Sequence, residues 1–252
     1  MRRHVDAIET ARMAICLNAV VTGRAIDRFW GDGAQFVSGP GGHVVARDPI
    51  GWLATMQECQ GFNVSLRWGE RLPEFPIWFQ PSRWVLKVHS NGTISAWRPS
   101  FKVQDAPDSV RRLWLVTYYP EDGDDAPVPK RELVDIADRL SEVLQGLITL
   151  TGERIPHWQP TFIGLLAILD GRAPPYAENQ LPQDILGDLA NRLFGTVSAA
   201  NLFSGMGNWG DNSYDDDVHA EIGRLTADLF FLLIEAVISV VKTTWPGGNS
   251  GC

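Results

Sequence analysis

The hydrophobic period of this chain changes near residue 120, and no other feature constrains the fold as strongly. Before that point, short runs of alternating apolar and polar residues are separated by turn residues, which is typical of strands. After it, apolar residues recur every three or four positions, as on one face of a helix. We therefore predict an α+β fold in which an antiparallel sheet from the N-terminal half carries the C-terminal helices packed on one face, in two layers.

The strongest strand pattern is RWVLKVHSNGTISAWR, residues 83–98. Its central Asn91-Gly92 is the dipeptide favoured by a two-residue type I′ turn, in which both central positions need positive φ. The turn predicts four cross-strand pairs, namely Ser90–Thr93, His89–Ile94, Lys87–Ala96 and Leu86–Trp97. It also predicts two faces. The core face would carry Trp84, Leu86, Val88 and Trp97, and the water-facing side would carry Lys87, His89 and Arg98.

Further strands are predicted at 62–68 and 111–119, and the glycine-rich SGPGGH, residues 38–43, reads as a turn between two short strands. Helices are predicted over 5–30 with an interruption near Gly23, from Pro49 with Asp48 as its cap, over 129–152, 160–170, 182–203 and 215–244. We predict a single domain over 1–245, β-rich at 30–119 and helical at 128–245, with a flexible tail at 246–252. The acidic, proline-containing stretch 120–129 is either a domain linker or a surface loop, and two domains are the alternative.

The composition excludes several classes of partner and of site. A net charge of −8 argues against a general affinity for nucleic acid or for an anionic membrane surface. The three cysteines, Cys16, Cys59 and Cys252, are far apart and match neither a disulfide framework nor a zinc motif. The longest uncharged apolar run, LFFLLI at 229–234, is much shorter than the roughly 20 residues that span a bilayer. We expect a cytoplasmic protein, and no cofactor is indicated.

One polar stretch is a candidate site: GMGNWGDNSYDDDVHAE, residues 205–221. Helical spacing places Asp215 and His219 on the apolar side of the last helix, whereas Asp217 and Glu221 point outward. A metal site or an acid/base pair would therefore use only Asp215 and His219 from this helix. The structural alternative is that the aspartates cap the helix and His219 is a packing residue. The preceding loop places Asn208 and an exposed-looking Trp209 as a possible binding lip.

The ten tryptophans of the chain are more than a protein of this size usually contains. Most of them read as core residues. The segment PEFPIWFQPSRW, residues 73–84, contains three prolines and cannot form a regular central strand, so Trp78 and Phe79 are candidates for an exposed contact surface.

Two functions follow from these features. The first is a non-enzymatic acidic binding protein that contacts another protein, in particular a basic one, as inhibitors and immunity proteins do. The second is an enzyme, for example a metal-dependent hydrolase, with its site at 205–221. There is no G-x-S-x-G motif, and spacing in the sequence pairs none of the five histidines with a serine or cysteine. The binding protein is the preferred hypothesis.

Overall fold

The computed structural model describes residues 2–24, 34–38, 42–56, 63–68, 84–90, 93–104, 113–121, 131–174, 181, 185–200, 202, 209 and 216–245. The chain divides into two compact units. The sheet unit comprises Val5–Val128 and Thr244–Cys252, and the helical unit comprises Met1–His4 and Pro129–Thr243. The division falls within the acidic stretch at 120–129. The single domain over 1–245 stays a prediction.

The described part of the first 121 residues contains two helices and six strands. In chain order these are α1 (Arg2–Val21), β1 (Ala34–Val37), β2 (Val44–Ala46), α2 (Pro49–Met56), β3 (Asn63–Trp68), β4 (Trp84–Ser90), β5 (Thr93–Gln104) and β6 (Leu113–Glu121). The strands form one sheet in the order β2-β1-β6-β5-β4-β3. Every neighbouring pair is antiparallel except β1 and β6, which are parallel. With the later helices, this mostly antiparallel sheet confirms the α+β class.

The hairpin of β4 and β5 has the predicted register. Ser90 pairs with Thr93, and the ladder continues to Leu86 opposite Trp97. The predicted core face is buried. The predicted water-facing side is wrong at Lys87, which is only 3% exposed, and His89 is half-buried, so that only Arg98 is open to solvent. Because β3 extends the sheet beyond β4, Lys87 lies on an interior strand, flanked by Ser65 of β3 and Ala96 of β5.

Pro99 lies in the middle of β5, where a proline is unexpected because it cannot donate to a ladder. The described ladder with β4 ends at Trp97, two residues before it, whereas the ladder with β6 continues through Pro99 opposite Tyr118. Pro99 therefore lies just beyond the described ladder with β4 and within the ladder with β6.

An aromatic stack fills the core of the sheet unit. The rings of Phe36 and Trp52 are 4.2 Å apart and nearly parallel, and the ring of Tyr118 also stacks on Phe36, at 4.8 Å. Trp97 meets Trp52 edge-on at 5.3 Å. Trp52 reaches this stack from α2, whose start has the predicted cap because the Asp48 carboxylate accepts a hydrogen bond from the Gly51 N–H at 2.7 Å.

α1 is buried on nearly every side between Ile8 and Ala19, with only Glu9 half-exposed. Its buried polar side chains have partners, since Arg12 pairs with Glu9 one turn away and Asn18 bonds to Val64 and Thr244. The helix ends at Val21, and Gly23 follows with a φ of +78°, a conformation that favours glycine. The prediction of an interruption near Gly23 is confirmed.

The helical unit contains α3 (Leu133–Arg154), α4 (Gln159–Leu169), α5 (Asp188–Ala199) and α6 (Asp216–Thr243). α3 packs against α4 and α6, and α5 also packs against both. α5 begins later than predicted because Gly187 is extended, with φ −64° and ψ 162°. Among the described residues, no helix is long and apolar enough to cross a membrane.

Candidate functional site

The residues predicted to form a site at 205–221 are mostly outside the described part of the chain. Asn208 and Asp215 lie outside it, as do Trp78 and Phe79 of the predicted contact surface. The backbone of His219 belongs to α6, which starts at Asp216 as the sequence indicates. The side chain of His219 is not described, so the pairing of Asp215 with His219 stays a prediction.

Trp209 is the residue of the predicted binding lip that the structure places. The expectation that it is exposed is wrong, because the side chain is 1% exposed. Its indole N–H donates to the hydroxyl of Thr226 on α6 at 2.7 Å, and its ring meets Phe162 of α4 edge-on at 4.9 Å. Trp209 therefore attaches its loop to the core of the helical unit, and its part in binding stays a prediction.

No group of three or more His, Cys, Asp or Glu side chains with metal-binding geometry occurs among the described residues. The proposal of a metal or cofactor at 205–221 is neither supported nor excluded by this observation, because most of that segment is not described.

α3 presents a row of carboxylates on the side opposite its buried face. Asp135, Asp138 and Glu142 are exposed, and at 3.6 residues per turn they lie within about 60° of one another around the helix axis and extend over about 10 Å along it. We call these three residues the acidic row. Val134, which borders it, is 57% exposed. The buried face of the same helix consists of Ile136, Leu140, Leu144, Leu147 and Thr151.

The acidic row has no ionic partner within the described residues. Arg139 lies one helical turn from both Asp135 and Glu142, at spacings that permit ion pairs, yet it pairs with neither. Elsewhere in the helical unit, four carboxylates have arginine partners, whereas the exposed Glu132, Glu153 and Glu221 have no ion pair within the described residues. These pairs are Asp170–Arg172, Asp188–Arg192, Asp228–Arg224 and Glu235–Arg131, at 2.6 to 3.2 Å.

A second polar group is buried in the sheet unit. The Arg12 guanidinium contacts the Glu9 carboxylate at 2.7 Å, with 2% and 25% of their side chains exposed. Burial raises the pKa of Glu9 although Arg12 opposes the shift, and burial lowers the pKa of Arg12. Burial also raises the pKa of the Cys16 thiol to about 12 and raises that of Tyr118, where the negative charge of Glu9 adds to the effect. These groups are poorly accessible and are not arranged as a reactive site.

The structure does bring a serine and a histidine together, which spacing in the sequence did not show. Ser65 Oγ and His89 Nε2 are 2.9 Å apart, on β3 and β4. In the register of these strands, Ser65 lies opposite Lys87 and Asn63 lies opposite His89, so Ser65, Lys87 and His89 share one face. The signal that could have found the pair is the antiparallel pairing of the two predicted strands, which the sequence alone did not specify.

No known protein family, curated protein or solved structure matches the chain.

Proposed function

We propose that the protein is a cytoplasmic binding protein that contacts another protein through the acidic row of α3, and that the matching surface of the partner is basic. The observation that carries this proposal is the absence, within the described residues, of any ionic partner for Asp135, Asp138 and Glu142, although other carboxylates of the same unit have arginines. Inhibitor and immunity proteins are examples of the class.

A row of like charges favours association with an oppositely charged partner. Like charges at these helical spacings repel one another and cost the helix a few tenths of a kcal/mol each, about 0.2–0.5. A partner with lysines or arginines at the same spacing removes that repulsion and gains attraction, most strongly as an increase in the association rate at low salt. Val134 beside the row adds an exposed apolar contact at its border.

The experiment compares two variants with the same net charge. The row variant carries Asp135→Asn, Asp138→Asn and Glu142→Gln. The control variant carries Asp170→Asn, Asp188→Asn and Asp228→Asn, which neutralise three carboxylates that already have arginine partners. The wild-type protein is used to isolate a partner from cells, the partner is purified, and its affinity for all three proteins is measured by calorimetry at several salt concentrations.

We expect the row variant to bind at least about tenfold more weakly, which corresponds to about 1.4 kcal/mol, and to show a weaker salt dependence. The control variant should remain within about threefold of wild type, since exposed ion pairs contribute little. Equal losses in both variants would show that only total charge matters, and no loss in the row variant would show that the partner binds elsewhere. Either result contradicts the proposal.

A further inference from the structure

We propose that Ser65 is an activated nucleophile, with His89 as its general base, and that the pair reacts with small carboxylic esters. This activity is separate from the proposed binding surface, because it uses the sheet unit alone. It also moves the enzyme hypothesis from residues 205–221 to β3 and β4.

The geometry of the pair fits the requirement for activation. A serine hydroxyl is a weak nucleophile until a neighbouring base removes its proton, and the two atoms must lie within hydrogen-bond distance. The 2.9 Å between Ser65 Oγ and His89 Nε2 meets this condition when Nε2 is unprotonated and accepts the hydroxyl proton. Both residues are on paired strands, which hold the two side chains more rigidly than loops would.

The surroundings of the pair favour a charge-separated transition state. Lys87 lies directly opposite Ser65 and is 3% exposed, so its side chain is buried on the same face of the sheet as the hydroxyl. A cation close to a developing oxyanion is most effective where water is excluded. The indole of Trp245 donates to the Val64 carbonyl at 3.0 Å, and its ring centre lies 5.8 Å from that of His89, which restricts the orientation of the imidazole.

The burial of Ser65 and His89 limits the size of the substrate. Ser65 is only 2% exposed, whereas His89 is half-buried, so a substrate reaches the hydroxyl along the imidazole side and must be small. In the reaction, Ser65 Oγ attacks the ester carbon while its proton passes to His89 Nε2. The bond from that carbon to the alcohol oxygen breaks, and the alcohol leaves with the proton from His89. Water then attacks the acyl-serine with the same base, and this releases the acid and restores the hydroxyl.

The test uses diisopropyl fluorophosphate, a small reagent that phosphorylates activated serines with loss of fluoride. The full-length protein is treated, and the modified residue is identified by intact mass and peptide mapping. Wild type is compared with Ser65→Ala, His89→Gln and Ser100→Ala. Ser100 is the matched control because it is an exposed serine on β5.

We expect a single adduct on Ser65 that is absent from Ser65→Ala, unchanged in Ser100→Ala and formed about 100-fold more slowly in His89→Gln. If His89→Gln unfolds, the wild-type pH profile decides: the labelling rate should rise over the range in which an imidazole loses its proton. No adduct, an adduct on another residue, or a rate on Ser65 that depends on neither His89 nor this pH range would overturn the proposal and leave a structural hydrogen bond.

Discussion

The side chain of Asn18 holds Val64 by both of its main-chain groups. Asn18 Oδ1 accepts a hydrogen bond from the Val64 N–H at 2.7 Å, and Asn18 Nδ2 donates to the Val64 carbonyl at 2.8 Å. Val64 belongs to β3, which lies at the edge of the sheet among the described strands, so its outer main-chain groups have no strand partner within that part of the chain. At Val64, the amide of Asn18 thus makes the two hydrogen bonds that a neighbouring strand would otherwise make, which leaves these groups unavailable for pairing.

The two ends of the sheet are closed in different ways. At β3, the Val64 carbonyl also accepts the indole N–H of Trp245, and Asn18 Nδ2 contacts the Thr244 hydroxyl at 2.9 Å. At the other end, β2 has only three residues, and its register with β1 shifts so that Val45 is an additional residue opposite the Phe36–Val37 step. Short, bulged strands are poor templates for further pairing.

Substitution of Asn18 should therefore destabilise the sheet unit. Asn18→Leu keeps the size of the side chain but leaves the buried N–H of Val64 without an acceptor, and we expect a loss of about 1–3 kcal/mol in the free energy of unfolding. Urea unfolding measures the loss, and hydrogen exchange at the Val64 amide should become much faster. Asn191→Leu on α5 is the control, since its side chain makes no hydrogen bond within the described residues. Equal losses in both variants would contradict this role for Asn18.

The bond between Trp209 and Thr226 should contribute to the stability of the helical unit. Thr226→Val preserves the shape of the side chain and leaves the buried indole N–H without its acceptor, so we expect a loss of about 1–3 kcal/mol. Trp209→Phe should cost at least as much, because it also removes packing against Phe162. In a double-mutant cycle measured by urea unfolding, the two losses should fall short of additivity by about 1 kcal/mol. Additive losses would show that the hydrogen bond contributes nothing.

These examples show where the sequence suffices to predict the structure. The register of β4 and β5 was predictable because Asn91-Gly92 specifies a turn of fixed length, and turn length determines which residues face each other. The burial of Lys87 was not predictable, because it depends on β3, whose position in the sheet no short turn specifies. The parallel pairing of β1 with β6 was not predictable either, because the two strands are far apart in the chain and no short turn joins them.

At the candidate site, too, the sequence predicts only those features that do not depend on tertiary packing. The outward position of the α3 carboxylates is a consequence of helical spacing alone, and all three are exposed. Their lack of ion pairs within the described residues could not be read from the sequence, because Arg139 has the right spacing to pair with them. Trp209 looked exposed because glycines surround it, whereas its acceptor is Thr226, which only tertiary packing brings within reach.

The raised pKa of Cys16 predicts a loss of stability in alkali. The thiol of an unfolded chain ionises near pH 9, whereas burial moves the pKa of the folded thiol to about 12. The folded protein therefore binds this proton more tightly, so the contribution is fully present below pH 9 and is lost as pH rises towards 12, with a limiting slope of about 1.4 kcal/mol per pH unit. Urea unfolding at pH 7, 8, 9 and 10 should show a shallower decline in Cys16→Ala than in wild type. The same decline of the unfolding free energy with pH in both proteins would show that ionisation of Cys16 does not contribute to the loss of stability in alkali.

The buried pair of Glu9 and Arg12 should respond to pH in opposite ways when either partner is removed. Glu9→Gln leaves a buried guanidinium without its counter-ion, and Arg12→Met leaves a carboxylate that burial disfavours, so each should cost about 3 kcal/mol at pH 7.

The stability of the two variants should differ as the pH is lowered. The pKa of Glu9 is already raised in the folded state and should rise further without Arg12. The folded state then binds the proton more tightly than the unfolded state, and the stability that this gives is present below pH 4.5 and lost as pH rises through the folded pKa. Arg12→Met should therefore recover stability between pH 7 and pH 5, whereas Glu9→Gln should not, since it has no carboxyl group at this position to protonate. Urea unfolding of both variants at pH 5, 6 and 7 measures the difference, and the same pH dependence in both would show that Glu9 remains solvated and does not form a buried pair.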